Sequence, residues 1–151
     1  MDFMLLIHFL GMAAWFGGVV AAMVVKNALE QRDGSRSMIA HLTARIYSVV
    51  VGPGALLTAV SGLVLTMQLA QRVGSDVMGQ PKLWVMQVTG LVAAVLVVGI
   101  AVPTATQLTR VLSAAEGEWP PAAGRLDARL GKVIYVSIII YVLAMGGAVL
   151  L

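Results

Sequence analysis

Hydrophobic residues in this chain do not alternate or recur on one stripe; they run on. Four apolar stretches cover roughly 3–25, 46–70, 83–104 and 133–151, separated by shorter segments that hold nearly all the charge. Each stretch has about the 20 residues that a helix needs to cross ~30 Å of hydrocarbon. A helix satisfies its own backbone hydrogen bonds, which lipid cannot do. No ten-residue segments alternate with period two, so a β-barrel is not expected. The pattern predicts an all-α integral membrane protein, one four-helix transmembrane bundle over 1–151 with no separate soluble domain.

Between the spans, the pattern predicts short, partly helical connections. In ALEQRDGSRSMIA, Asp33-Gly34 marks a turn and Ser35 or Ser37 is placed to cap the next helix, which starts near Ser37. Pro53, in VVGPGALLT, removes a backbone bond and is expected to bend the second span. The third connection reads as a short surface helix, a break at Trp119-Pro120-Pro121 and a lead-in turn to the last span, with Trp119 as an interfacial anchor.

Composition agrees: 60% hydrophobic, 11% charged, mean hydropathy +0.94. There is no cysteine, which excludes disulfides, thiolate metal sites, iron–sulfur clusters and thioether-linked haem. The net charge of +3 is not a nucleic-acid signal, because the basic residues flank the apolar spans. Lys26, Arg32, Arg36 and Arg45 sit in or beside the first connection; Arg110, Arg125, Arg129 and Lys132 sit in or beside the third. Only Arg72 and Lys82 flank the second. The positive-inside rule puts connections one and three in the cytoplasm, and both termini and the second connection on the outer, periplasmic side.

Small residues mark the expected packing faces. On the first span Gly11, Trp15, Gly18 and Ala22 share a face with His8; on the second, Ala55, Ala59, Gly62 and Thr66 form a stripe. Gly90 and Ala94 do so on the third, and Gly146 and Gly147 on the fourth. Such residues let membrane helices approach closely. His8 therefore faces the bundle interior, where an ionisable group is a functional-site hypothesis by default. Lys82 opens the third span on the same side, with Gln87 one turn deeper; Met12 lies one turn from His8. His41 lies on the opposite side, about a membrane thickness away, so the two histidines cannot share an iron within one chain. Met1, Met4, Met67, Met78, Met86 and Met145 also fall in the outer half. Thioethers suit Cu(I) and can serve as axial haem ligands, although methionine is also an ordinary gap-filler.

HFLGMAAWFGG on span one, ARIYSVVVGPGALLTAVSGLVL on span two and PKLWVMQVTGLV opening span three resemble the oxygen-independent membrane protoporphyrinogen oxidase of the HemJ type. They are also similar to its wider relatives, the CopD-type copper-resistance membrane proteins. The likeness covers most of the chain. It implies a multi-pass protein of a bacterial cytoplasmic (inner) membrane with a haem b site: His8 as the metal ligand, Met12, Trp15 and Gln87 as further cofactor-binding residues, and Lys82 as the catalytic polar group. Porphyrinogen oxidation would require a quinone-like electron acceptor from the membrane. Alternatives remain: copper handling by His8 with Met4, Met12 or Met86, or an accessory subunit of a larger complex in which His8 merely bonds a backbone carbonyl or Gln87. Transport ranks below these, since every Asp and Glu lies in a connection or at an end. The partners expected are the lipid bilayer and a second copy or a larger assembly, not nucleic acid.

Overall fold

A computed structural model of the protein describes residues 2–30, 35–74, 76, 79–115 and 119–150, with the side chains of 2, 30 and 144–150 outside that description. The described residues are helical and contain no strand. Among the described residues there are four helices: α1 (Asp2–Glu30), α2 (Arg36–Val73), α3 (Pro81–Ala114) and α4 (Pro121–Leu150). The first three are long and apolar enough to cross a membrane.

Local chemistry sets the ends. Ser35 takes the N-cap position of α2, where its carbonyl accepts from Ile39 N–H at 3.0 Å while its hydroxyl makes no capping bond. Gly74 stops α2 with φ +102°, a conformation that favours glycine, and its N–H bonds Ala70 O at 3.0 Å. Prolines open α3 and α4, where a missing N–H costs nothing.

Two helices widen in the middle. Residues Tyr47–Val51 of α2 and Val97–Ala101 of α3 form π-helical turns, closed by Gly52 N–H on Tyr47 O and Val102 N–H on Val97 O. Each turn ends two residues before a proline, Pro53 or Pro103. A proline lacks the donor for the carbonyl four residues back and its ring crowds that carbonyl; a wider turn upstream lets the helix continue. The bend expected at Pro53 thus takes the form of a π-turn, and Pro103, which hydropathy does not distinguish, has its own. The two sites touch: a Cβ on Gly52 would lie 2.5 Å from Val102 Cγ2.

The third connection departs from expectation. Residues 106–114, expected as a separate surface helix after the span, continue α3 without a break, and residues 122–132, expected as a lead-in turn, are part of the first turns of α4. The polar stretch stays helical because Thr104, Ala105, Leu108 and Leu112 recur at helical spacing and are buried. Trp119 is half-buried against the core, with the Arg36 guanidinium 4.4 Å from its ring centroid.

The helices pair as α1 with α2 and α3 with α4. Gly11 and Gly54 mark the closest approach of the first pair: a Cβ on Gly54 would stand 2.6 Å from Trp15 N, and one on Gly11 2.8 Å from Thr58 N. Residues 36–46 and 102–114 join the two pairs at one end of the bundle, while 52–73 and 81–96 touch only sparsely. The bundle is therefore closed at the end that carries most of the basic residues and looser at the end where residues 2 and 150 and the 74–80 connection lie. Large apolar side chains are exposed on every helix, among them Leu6, Leu10, Leu57, Val95 and Ile139. A surface so apolar all round is suited to lipid.

Candidate functional site

The loose end contains the site. His8 projects from α1 onto α2, with Nδ1 3.0 Å from Thr58 O and 3.0 Å from Ser61 Oγ. A carbonyl only accepts, so Nδ1 carries the proton and donates. Ser61 Oγ donates to the carbonyls of Leu57 and Thr58 in its own helix, which leaves it to accept from the imidazole. The sequence prepares this contact through Gly62. A helical side chain covers the turn before it, so a glycine at 62 leaves the Thr58 carbonyl uncovered. A Cβ there would stand 3.2 Å from His8 Cε1.

With Nδ1 engaged, Nε2 is the nitrogen left with a lone pair. Among the described residues it has no hydrogen-bond partner, and it is not among the buried polar atoms left without one, so it is open to the space beside it. That space is a cavity of about 300 Å³ whose wall includes His8, Met12, Trp15, Gln87, Met86 and Tyr141. Its remaining lining is mostly leucine, with small residues of α2 and with Gly90. The floor is aromatic. Trp15, 3% exposed, lies 5.6 Å from the Phe16 ring and 5.8 Å from that of Tyr141, and Phe16 lies 4.1 Å from Tyr141. Across the cavity Gln87 Nε2 donates to Thr66 Oγ1, which donates to Gly62 O at 2.9 Å.

Four of the sequence-predicted residues, His8, Met12, Trp15 and Gln87, thus border one cavity. Lys82 is exposed in the first turn of α3, beside Leu83 of the wall, and is not itself a wall residue. Met86 joins the wall; Met4 does not, and Met1, Met78 and Met145 lie outside the described residues or side chains. Gly90, expected as a packing residue, borders the cavity with no atom within 4 Å of a built Cβ. The surroundings of Gly146 and Gly147 lie outside the described residues. His41 sits 17 residues from Thr58 along the same helix, about 25 Å at ~1.5 Å per residue, so the separation of the histidines holds. No three His, Cys, Asp or Glu side chains converge among the described residues. The partners of His8, Thr58 and Ser61, and the wall residue Tyr141 are additions. The first two are polar residues inside an apolar span, three apart and next to the small stripe, which is a readable signal; Tyr141 has none.

Fold and site together define a helical protein with membrane-length apolar helices and a half-open apolar cavity bearing one imidazole. No family model matches the chain, and no curated protein or solved structure resembles it at a significant level.

Proposed function

We propose that the protein is a multi-pass redox protein of a bacterial cytoplasmic membrane that binds haem b in the His8 cavity, in the manner of the HemJ-type oxidases. One observation carries the reading. The Thr58 carbonyl accepts a hydrogen bond from Nδ1–H of a histidine on the cavity wall and leaves Nε2 of the neutral ring without a partner among the described residues, the arrangement by which a second partner fixes the tautomer of a metal-binding histidine. The residues present fit the group: one imidazole, thioethers from Met12 and Met86, apolar walls, and an aromatic floor. His8 would bind the iron, Met12 and Trp15 would flank the macrocycle, and Gln87 would offer its amide at the edge. Lys82, exposed beside the wall, is placed to pair a carboxylate of cofactor or substrate. When bound, the haem supplies one-electron exchange. The chain supplies a dry, shaped slot and the orientation of its ligand. With connections one and three cytoplasmic, the cavity faces the periplasmic half of the membrane.

The test is a visible spectrum of the detergent-purified protein with metal analysis. A Soret band that is lost in His8→Ala, while circular dichroism stays helical, supports haem. Stoichiometric copper in colourless protein would instead favour a CopD-like role, for which the two thioethers beside His8 are the supporting observation. Colourless, metal-free protein overturns both and leaves the His8–Thr58 bond as packing within an accessory subunit.

A further inference from the structure

The first turns of α4 carry three cations in a line. Arg125, Arg129 and Lys132 stand four and three residues apart, so they share one face of the helix, and all three are exposed. The same line continues through Val136, Ile139 and Leu143, which are 48%, 46% and 64% exposed. Ala123, Leu130 and Ile134, which α4 buries, lie on its other side. The outward face is thus basic for about 10 Å and then apolar to Leu143, about 16 Å beyond Lys132, at ~1.5 Å per residue. That second length is close to the depth of one leaflet, half of a ~30 Å hydrocarbon core.

These cations have nothing in the chain to pair with. Like charges at such spacings repel along a helix. The acid among residues 121–132, Asp127, is turned toward α1, where it meets Lys26 at 3.8 Å. Among the described residues no carboxylate pairs with Arg125, Arg129 or Lys132. Other basic residues of that end differ. Arg36 lies over the Trp119 ring, while Arg45 on α2 and Arg110 on α3 are exposed singly. Holding a connection on one side of a membrane asks for basic residues near the span, not for their alignment. Alignment above an apolar strip of one leaflet's depth fits a ligand with an anionic head and an apolar tail. A soluble anion would match only the first part, and a neutral lipid only the second.

We infer that the outer face of α4 binds an anionic phospholipid. Arg125, Arg129 and Lys132 hold its phosphate, and an acyl chain lies along Val136, Ile139 and Leu143. Arginine can fork two N–H groups onto phosphate oxygens, and a lysine beside an apolar strip can extend its stem to bring the ammonium to the same level. The inference rests on the membrane reading proposed above, and on neither the haem nor the direction in which the chain crosses the bilayer.

The experiment uses the full chain, which has no cysteine of its own. Tyr135→Cys, at a position 65% exposed and next to where the basic part meets the apolar part, takes a bimane label. In phosphatidylcholine vesicles the label is quenched by phosphatidylglycerol or by phosphatidylcholine carrying a nitroxide high on the acyl chain, and the ratio reports which lipid sits beside it. Phosphatidylglycerol should be preferred at least about fivefold, the worth of one basic side chain near anionic lipid. The preference should vanish in Arg125→Gln/Arg129→Gln/Lys132→Gln, with helix content by circular dichroism unchanged. Arg45→Gln/Arg110→Gln, which also removes basic charge from that end, should keep it. Equal quenching by the two lipids in the labelled chain with its cations intact would overturn the inference and leave the membrane reading standing. So would a preference lost as fully in Arg45→Gln/Arg110→Gln as in the triple variant, which would assign it to the net charge of the end and not to the line on α4. Quenching by neither lipid would overturn the membrane reading and the inference with it.

Discussion

An imidazole inside an apolar helix pair can turn either nitrogen to a partner, and which one it turns decides whether the other can bind anything. Here Thr58 O and Ser61 Oγ both face Nδ1 at 3.0 Å. The backbone carbonyl cannot be removed by substitution, so Ser61→Ala should leave the ring oriented and shift any haem spectrum little. Gly62→Ala is the sharper change. Its Cβ would come within 3.2 Å of His8 Cε1 against a partner held by two bonds, and crowding of this kind costs about 1–3 kcal/mol. The expected outcome is a melting temperature lowered by a few degrees and any haem absorbance, read from the Soret-to-protein ratio, reduced well below that of Ser61→Ala. At this scale the inward face of His8 was legible, because the glycines and Trp15 set its register. Its hydrogen bond was not, because which carbonyl a ring reaches depends on how deeply two helices interpenetrate, and sequence spacing carries no such depth.

Between elements, glycines sort into those that something touches and those that nothing touches. Gly54→Val would drive a side chain into the Trp15 backbone, where a Cβ already lies 2.6 Å from N. The α1–α2 pair should separate, and the melting temperature in detergent should fall by several degrees. Gly90→Ala meets nothing within 4 Å and should leave that melting temperature unchanged. Gly52→Ala strikes Val102 Cγ2, a side chain and not backbone. Val102→Ala in the same chain should therefore recover most of the loss, a coupling measurable by a double-mutant cycle. Hydropathy located the four helices, yet it drew their ends at the edge of apolarity. Residues 105–114 and 121–132 were legible only in the period of Ala105, Leu108, Leu112, Ala123 and Leu130, all buried, because a helix held by packing continues past the point where it stops being oily.

Over the whole molecule, exposed apolar side chains encircle the bundle and basic residues collect at the closed end. The proposed orientation is open to a direct check, since the chain has no native cysteine to interfere. Asp76→Cys and Arg129→Cys place single thiols at exposed positions on opposite ends. A membrane-impermeant maleimide added to intact cells should label the first and spare the second, and the reverse result would invert the topology. Charge pattern is the ground for expecting this orientation. The loosening of the bundle around the cavity was not legible, because where two helix pairs touch depends on how they cross, which sequence spacing does not carry.

Those paired π-turns also fix the angular phase of the molecule. A π-turn amounts to one residue more than an α-helix needs, and each residue advances a helix by about 100°. In α2 the turn divides the segment that closes the bundle, 36–46, from the segment that meets His8, 58–69. Deleting Val49 would let the helix relax to an ordinary pitch and swing one segment around the axis relative to the other. The closed end would then keep its contacts only by turning the Thr58 carbonyl away from the imidazole, so a single lost codon, far from the ring, would erase the orientation of His8 while every side chain that forms it remained.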